Sequence, residues 1–466
     1  MRNARIFKTK VMPVILGLSF FCVTLCHRPI TVQADMSWPS GPDVPGQSAV
    51  VMDINSGAIL YEKNMHAKMY PASITKILTS LIGIEECSLD EMVFFSKDAV
   101  YKNEGNTSHI AREWREEISV KSTLYAIMLE SANECAYALA EHVANKYDQD
   151  YSYFVELMNA RAKQLGCVDT HFSNANGLPD DEHYTSAYDM ALIAAEAYRN
   201  ETFRLIAGTK TYTITDSNRD RPDYACYNHH QMMRKSNANY YEWVTGGKTG
   251  YTDSAGNTLV TYAERNGMTL VCVVMKSPQP AYPDTRTLFD YCFANYQVHY
   301  VEEADETVRR QITANTGILN NNAPYVGFGA SSYIILPVTA SFADTTLTIL
   351  NGDGKKVIAT FEYKYGDHVV GSLNLVKTGA RVEESYFKKP IQTEDNVRVI
   401  QIKPIYIFVG VVGLLLLAFL IFYVRLFVKN YYVIRHQISS RRTKRKEERT
   451  ARRRRKKFNR TNLRFK

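Results

Sequence analysis

Residues 71–84 read PASITKILTSLIGI. Pro71 is favoured in the first turn of a helix, and the apolar residues after it recur at helical spacing, so the stretch predicts a helix. Ser73 and Lys76 are three residues apart and therefore share one face of that helix. A serine hydroxyl is a weak nucleophile until a base takes its proton, and Lys76 is within reach to do so.

Two further motifs follow along the chain, Ser131-Ala132-Asn133 and Lys248-Thr249-Gly250. Ser131 is expected to relay a proton towards a leaving amine, and Asn133 is expected to hold a substrate amide. Lys248 and Thr249 are expected on a strand edge, where they could grip a terminal carboxylate. Gly250 would leave room for a substrate backbone. The order of the three motifs is typical of enzymes that acylate a serine.

The lysine base must be neutral before it can take the serine proton. Burial and a neighbouring positive charge both lower a lysine pKa, and Lys248 is the candidate for that charge. The oxyanion of the acylation step would be met by backbone N–H groups of Ser73 and Tyr251. The predicted catalytic residues are Ser73, Lys76 and Ser131, and the predicted substrate-binding residues are Asn133, Lys248, Thr249, Gly250 and Tyr251.

The patterns around the motifs predict an α+β fold, because helices come first and strands lie around them. Helical periodicity covers 71–84, 119–147, 150–165 and 186–199, and strand patterns cover 49–53, 58–61, 257–263, 269–275 and four segments between 333 and 376. The predicted order is a cleavable signal peptide at 1–34, a catalytic domain at 35–299, a small all-β domain at 300–398, a transmembrane helix at 404–424 and a basic tail at 425–466.

The membrane prediction depends on charge and hydrophobicity. Residues 405–424 carry no charge, and a helix of that length matches a hydrocarbon core of ~30 Å. The tail at 425–466 holds 18 Lys and Arg against two Glu, within a chain whose formal net charge is +8. The positive-inside rule places the tail in the cytoplasm and the domains outside the cell membrane. The basic run is interpreted as a topological anchor that binds anionic lipid, with no nucleic acid partner.

Metal and cofactor sites are not predicted. Six cysteines follow the signal peptide, with irregular spacing and no C-x-x-C, so neither a zinc site nor a disulfide-rich scaffold is indicated. Buried free thiols are expected. The loop histidines His183, His229 and His230 are interpreted as solvated or bonded to backbone.

A second set of similar motifs lies in the predicted β domain: Ser372-Leu373-Asn374, Lys377-Thr378-Gly379 and Ser385-Tyr386-Phe387-Lys388. These motifs occur in a different order from those of the first set, and all three lie within one short segment. The serine of the last motif precedes Pro390 in a charged stretch without an apolar helix. We interpret this second set as a coincidence.

The context of the first set resembles the low-molecular-weight penicillin-binding proteins that act as serine D-alanyl-D-alanine carboxypeptidases. The matching text includes Leu60-Tyr61-Glu62, Pro71 to Lys76, Ser131 to Ala136, Asn176-Gly177-Leu178, His183-Tyr184, Asp189-Met190-Ala191, Lys248 to Thr252 and Ala255-Gly256. The resemblance implies a serine β-lactamase/DD-transpeptidase-like domain, with helices packed on an antiparallel sheet. It also implies a serine that β-lactams inhibit covalently, and cleavage of the terminal D-alanine from peptidoglycan stem peptides.

The chain departs from the family at Trp114-Arg115-Glu116, where the family usually has Gly before Glu. Its predicted span and tail also differ from the amphipathic helix that typically anchors these relatives. Three alternatives remain open. A serine β-lactamase would need a water-activating Glu, a β-lactam sensor or pseudoenzyme would use the span and tail for signalling, and a transpeptidase of the same fold is not excluded.

Overall fold

The computed structural model describes residues 37–102, 107–305, 326–328, 332–352, 357–377, 425 and 440–453. The strands up to residue 300 are β1 (Ser48–Asp53), β2 (Ile59–Lys63), β3 (Met92–Phe94), β4 (Glu117–Ser119), β5 (Thr211–Ile214), β6 (Tyr224–Tyr227), β7 (Val244–Thr252), β8 (Gly256–Arg265), β9 (Met268–Ser277) and β10 (Tyr296–Tyr300). The helices are α1 (Lys76–Glu86), α2 (Lys97–Tyr101), α3 (Val120–Tyr125), α4 (Asn133–Asn145), α5 (Tyr151–Gln164), α6 (Ala187–Arg199), α7 (Glu201–Gly208), α8 (Tyr282–Asn295) and α9 (Val301–Ala304).

A five-stranded antiparallel sheet forms the centre of the region up to residue 300, in the order β2-β1-β9-β8-β7. Alternate residues of β1 enter different cores, as the two-residue period of a strand requires. Val50 and Met52 pack with α1, α4 and α6 on one face. Ala49 and Val51 pack with α8 on the other. Helices on an antiparallel sheet confirm the predicted fold of this domain.

The predicted helix over 119–147 is wrong in one respect, because the structure divides it. After α3, residues Ala126–Glu130 form one turn of π-helix, and the chain then turns sharply at Ser131, whose φ is +62°. The second helix, α4, begins at Asn133. The left-handed residue breaks the helix and places Ser131 and Asn133 in the turn between its two parts, where their side chains can meet a ligand.

The segment that departs from the family pattern has a backbone explanation. Arg115 has a φ of +66°, a left-handed conformation that glycine adopts most easily. Glu116 beside it is fully buried and is paired with Arg112 at 2.9 Å and Arg221 at 3.0 Å. A buried carboxylate with two guanidinium partners fixes this turn although the preceding residue is not glycine.

The following region contains β11 (Val326–Phe328), β12 (Tyr333–Pro337), β13 (Thr346–Asn351), β14 (Val357–Tyr365) and β15 (His368–Lys377). A four-stranded sheet has the order β11-β15-β14-β13, and β12 pairs with β10 of the preceding domain. The Tyr333 hydroxyl donates to the buried carboxylate of Asp53 at 3.2 Å, so a side-chain hydrogen bond also joins the two regions.

Several predictions fall wholly or partly outside the described residues. They include the signal peptide at 1–34, the transmembrane helix at 404–424, Ser385 and most of the tail. Within the part of the chain that the structure describes, no helix has the length and apolar character needed to cross a membrane. A second unit covers residues 392–466, and in it residues 440–453 are helical and exposed.

Candidate active site

Ser73 lies in a 3-10 turn, Ala72–Thr75, that leads directly into α1. The neighbouring Ala72, Ile74 and Thr75 are buried, whereas Ser73 keeps part of its surface exposed. The Thr258 hydroxyl of β8 donates to the Pro71 carbonyl at 2.8 Å and ties the turn to the sheet. The turn thus presents one hydroxyl to solvent from a fixed support.

Lys76 is the first residue of α1 and is fully buried. Its Nζ lies 2.9 Å from Ser73 Oγ, 2.6 Å from Asn133 Oδ1 and 2.6 Å from the Asn176 carbonyl oxygen. The two asparagine oxygens can only accept, whereas the serine hydroxyl can donate. A neutral amine has two N–H donors and one lone pair, so both N–H groups bond the asparagine oxygens and the lone pair faces Ser73.

The surroundings favour this neutral form. The pKa of Lys76 lies well below its usual value because burial disfavours the ammonium, and the charge of Lys248 lowers it further. The buried carboxyl of Glu134 opposes the effect, although burial raises the pKa of Glu134 itself. Burial and the Lys248 charge thus both act in the direction expected for a lysine base.

The second motif lies at the turn before α4. Ser131 is almost completely buried, and its Oγ has no hydrogen-bond partner among the described residues. Asn133 starts α4, and its backbone N–H donates to the Ser108 carbonyl at 2.9 Å. The turn therefore holds one hydroxyl available to a ligand beside an amide already bonded to Lys76.

The third motif lies on β7, the edge strand of the sheet. Lys248 is buried, and its Nζ donates to the Thr249 carbonyl at 2.8 Å. Burial lowers the pKa of Lys248 to about 7. A β-carbon added to Gly250 would lie 2.9 Å from the backbone nitrogen of Ser73, so only glycine lets the strand pass this close to the serine.

A cleft of about 790 Å³ joins the three motifs. Six of the eight predicted site residues line it: Ser73, Ser131, Asn133, Thr249, Gly250 and Tyr251. The two lysines lie behind its wall, because both are buried and neither lines the cleft. Lys248 lies on the edge strand as expected, but its side chain is buried and its Nζ contacts the Thr249 carbonyl instead of lining the cleft.

Asn176 and Gly177 match the family text but had no predicted role in the site. The Asn176 carbonyl bonds Lys76, and Gly177 has a φ of +84°. A β-carbon on Gly177 would lie 1.9 Å from the Ala72 carbonyl oxygen, so this glycine is needed for close packing against the serine turn. The Asn-Gly pair was the sequence signal that could have identified this turn, because Gly after Asn is typical of a left-handed turn.

The histidines take different positions. His229 lines the cleft and pairs with Glu130 at 3.0 Å. His230 is buried behind β7, where a β-carbon on Gly247 would lie 2.6 Å from its Nε2. His183 is buried and bonds Thr75 Oγ1 at 2.9 Å, and burial lowers its pKa to about 4. His183 therefore supports the helix that carries the lysine.

The model of the D-alanyl-D-alanine carboxypeptidase family, Peptidase_S11, matches residues 35–279, more than half of the chain. The chain belongs to the D-alanyl-D-alanine carboxypeptidase family. The resemblance inferred from the three motifs is confirmed, and so is the enzyme class, a serine peptidase. All three motifs of the cleft lie within the matched residues.

Individual members of the D-alanyl-D-alanine carboxypeptidase family give the same result. DacF of Bacillus subtilis is 32% identical over 270 residues, which cover 57% of this chain and 66% of that protein. The crystal structure of a D-alanyl-D-alanine carboxypeptidase from Mycobacterium tuberculosis matches with a TM-score of 0.50 and 27% identity, covering 55% of this chain and 94% of that one. The DD-transpeptidase of Streptomyces K15 matches with a TM-score of 0.50 and 27% identity, covering 55% and 100%. The chain thus spans about two thirds of the Bacillus relative.

Proposed function

We propose that this protein removes the terminal D-alanine from peptidoglycan stem pentapeptides that end in D-Ala-D-Ala. The observation that carries the proposal is the contact of Lys76 with Ser73, in which the Nζ of a fully buried lysine lies 2.9 Å from the serine Oγ. Membership of the D-alanyl-D-alanine carboxypeptidase family supports the choice of substrate.

The proposed acylation step uses the residues of the three motifs. Ser73 Oγ attacks the carbonyl carbon of the penultimate D-alanine while its proton passes to Lys76 Nζ. The carbonyl oxygen becomes an oxyanion, which the backbone N–H groups of Ser73 and Tyr251 stabilise. The peptide bond breaks to leave an ester on Ser73, while Ser131 gives its hydroxyl proton to the departing amine and takes in its place the proton held by Lys76. Water then hydrolyses the ester and restores the free serine.

The binding roles are part of the same proposal. Thr249 donates its hydroxyl to the substrate's terminal carboxylate, and the ammonium of Lys248 behind it attracts that carboxylate through space. Asn133 binds the amide of the substrate, and Gly250 and Tyr251 let the substrate backbone lie along β7. A β-lactam has the same carboxylate and a reactive amide carbonyl, so it would acylate Ser73 and act as a covalent inhibitor.

The β-lactamase alternative loses support from the composition of the cleft. Asp253 is the only carboxylate among the residues that line the described cleft, and it accepts a hydrogen bond from Tyr251 at 3.1 Å. A β-lactamase needs a carboxylate that activates water beside the acylated serine, and neither Asp nor Glu contacts Ser73 in the described hydrogen bonds. A β-lactam sensor also needs an activated serine, so release of D-alanine is what distinguishes a carboxypeptidase from this alternative.

The test is release of D-alanine from a synthetic peptide ending in D-Ala-D-Ala, with the full-length protein purified in detergent. The wild type and Ser385→Ala are expected to release D-alanine at equal rates, and Ser73→Ala is expected to release none. If an added amine replaces water as the acceptor of the acyl group on Ser73, the protein acts as a transpeptidase. Retained activity in Ser73→Ala would contradict the proposal.

We also propose that the protein is a single-pass protein of the bacterial cell membrane, with the peptidase domain outside and the tail in the cytoplasm. The uncharged segment at 404–424 and the basic tail support this topology, and the exposed residues 440–453 offer Arg and Lys to anionic lipid rather than to nucleic acid. Protease added to intact cells should remove the domain and spare the tail. A tail digested from outside would refute the orientation.

A further inference from the structure

A thiol, a carboxylate and an imidazole lie together near the C-terminal ends of α1 and α4, away from the cleft. One ligand atom each from Cys87, Glu91 and His142 lies within 4.8 Å of the other two. Glu91 Oε2 and His142 Nε2 are 3.0 Å apart. Within the described ranges this is the only such group of three or more potential ligands.

Three separate elements supply these side chains. Cys87 caps the C-terminus of α1, Glu91 ends the loop that follows, and His142 lies in the last turn of α4. Glu91 is held in place because its Oε1 accepts the Ser88 N–H at 2.7 Å. The cluster is therefore built on the ends of two packed helices and on a loop whose shape the carboxylate itself fixes.

The local charge already favours a cation. The Lys146 ammonium lies 3.0 Å from Glu91 Oε1 and also donates to the carbonyl of Glu86, the last residue of α1. The C-terminal ends of helices carry partial negative charge, so α1 and α4 add to the attraction. Lys146 keeps 35% of its side chain exposed, which means that its ammonium can move into solvent when another cation arrives.

We propose that Cys87, Glu91 and His142 bind one Zn²⁺ ion, which displaces the Lys146 ammonium. Thiolate and imidazole ligands favour zinc over calcium or magnesium, which prefer oxygen. Tetrahedral zinc places its ligand atoms about 3.5 Å apart, so the side chains need shifts of only about 1 Å. Binding forms bonds from the thiolate, carboxylate and imidazole to the ion and releases the thiol proton to solvent, with water in the fourth position.

The position of this site in the fold determines what bound zinc would do. Lys76 begins α1 and Asn133 begins α4, and the two helices pack closely where Gly83 meets Leu139. The zinc would tie the opposite ends of these helices, about 16 Å along α1 from Lys76 at 1.5 Å per residue. Zinc would therefore stabilise the fold, and it would not enter the cleft.

The test uses the full-length protein, purified in detergent without a polyhistidine tag. Co²⁺ serves as the spectroscopic probe, because a cobalt–thiolate bond gives a charge-transfer band in the near ultraviolet, and Zn²⁺ is titrated by calorimetry. The wild type should show the band and a melting temperature that rises with zinc. Cys87→Ser should lose the band, and both Cys87→Ser and His142→Ala should bind zinc more than about tenfold more weakly.

Two controls make the result specific. Cys167→Ser removes the other partly exposed thiol of the described chain and should behave as the wild type. Lys146→Met removes the competing ammonium and should tighten zinc binding by up to about fivefold. A wild type without the cobalt–thiolate band, or a band and zinc affinity that survive Cys87→Ser, would overturn the proposal.

Discussion

Lys76 Nζ lies 2.9 Å from Ser73 Oγ while its other two partners are oxygens that can only accept. This arrangement assigns the lone pair of the neutral amine to the serine and leaves no other proton donor to compete for it. The base and the nucleophile are therefore already paired before any substrate enters. The contact predicts that acylation depends on this lysine more than on any group that merely lines the cleft.

Replacement of Lys76 by Met keeps a long unbranched side chain but removes the base. Acylation by benzylpenicillin should slow by about 10²–10⁴-fold, the usual contribution of a general base. The rate is measured by intact mass against time, and a thermal melt of the same sample reports on folding. Acylation at the wild-type rate in a folded Lys76→Met protein would exclude Lys76 as the base.

The two buried lysines predict a bell-shaped pH profile for kcat/KM. Lys76 must be neutral, so activity rises with pH through its pKa, which is held well below 10.5. Lys248 attracts the substrate carboxylate only when charged, so activity on that substrate falls as the pH rises above its pKa of about 7. A substrate whose C-terminal carboxylate is amidated should lack the descending limb. The same descending limb with both substrates would contradict the role of Lys248.

Gly177 is predicted to be required for the position of the serine turn. Gly177→Ala would place a β-carbon 1.9 Å from the Ala72 carbonyl oxygen, so the turn that carries Ser73 must shift and acylation should slow strongly. Gly267→Ala is the matched control, because Gly267 also has a positive φ, +79°, and its nearest contact is an ordinary 3.5 Å.

Both variants carry left-handed strain of about 1–2 kcal/mol, so both should melt at a lower temperature than the wild type. Only Gly177→Ala should also lose acylation rate, which is measured by the penicillin mass assay. Equal acylation rates in the two variants would show that Gly177 does not position the serine.

The three motifs were predictable because each is a short run whose spacing and order carry the chemistry. Ser73 and Lys76 share a helical face, and Thr249 to Tyr251 follow one strand. Periodicity in the sequence also predicted α1, α5 and α6 and the strands β1, β2, β8 and β9, but it did not predict α7 or α8. These patterns involve residues close together in the chain, so they can be recognised in a single sequence.

The parts that the sequence did not reveal depend on contacts between distant segments. The Asn176 carbonyl reaches Lys76 from 100 positions away along the chain, and no periodicity encodes such a contact. The left-handed turn at Ser131 interrupts a strongly helical pattern, because the surrounding packing overrides local propensity. Lys248 lies on the edge strand as predicted, but the burial of its side chain depends on packing from other elements and was not predicted.

The most direct test of the central claim is the intact mass of the full-length protein, followed over time after mixing with benzylpenicillin and mapped by peptide digestion. We predict a single adduct on Ser73 that decays slowly, and no adduct in Ser73→Ala. An adduct that clears within seconds would indicate a β-lactamase. No adduct at all, or an adduct on Ser385, would contradict the assignment of Ser73 as the nucleophile.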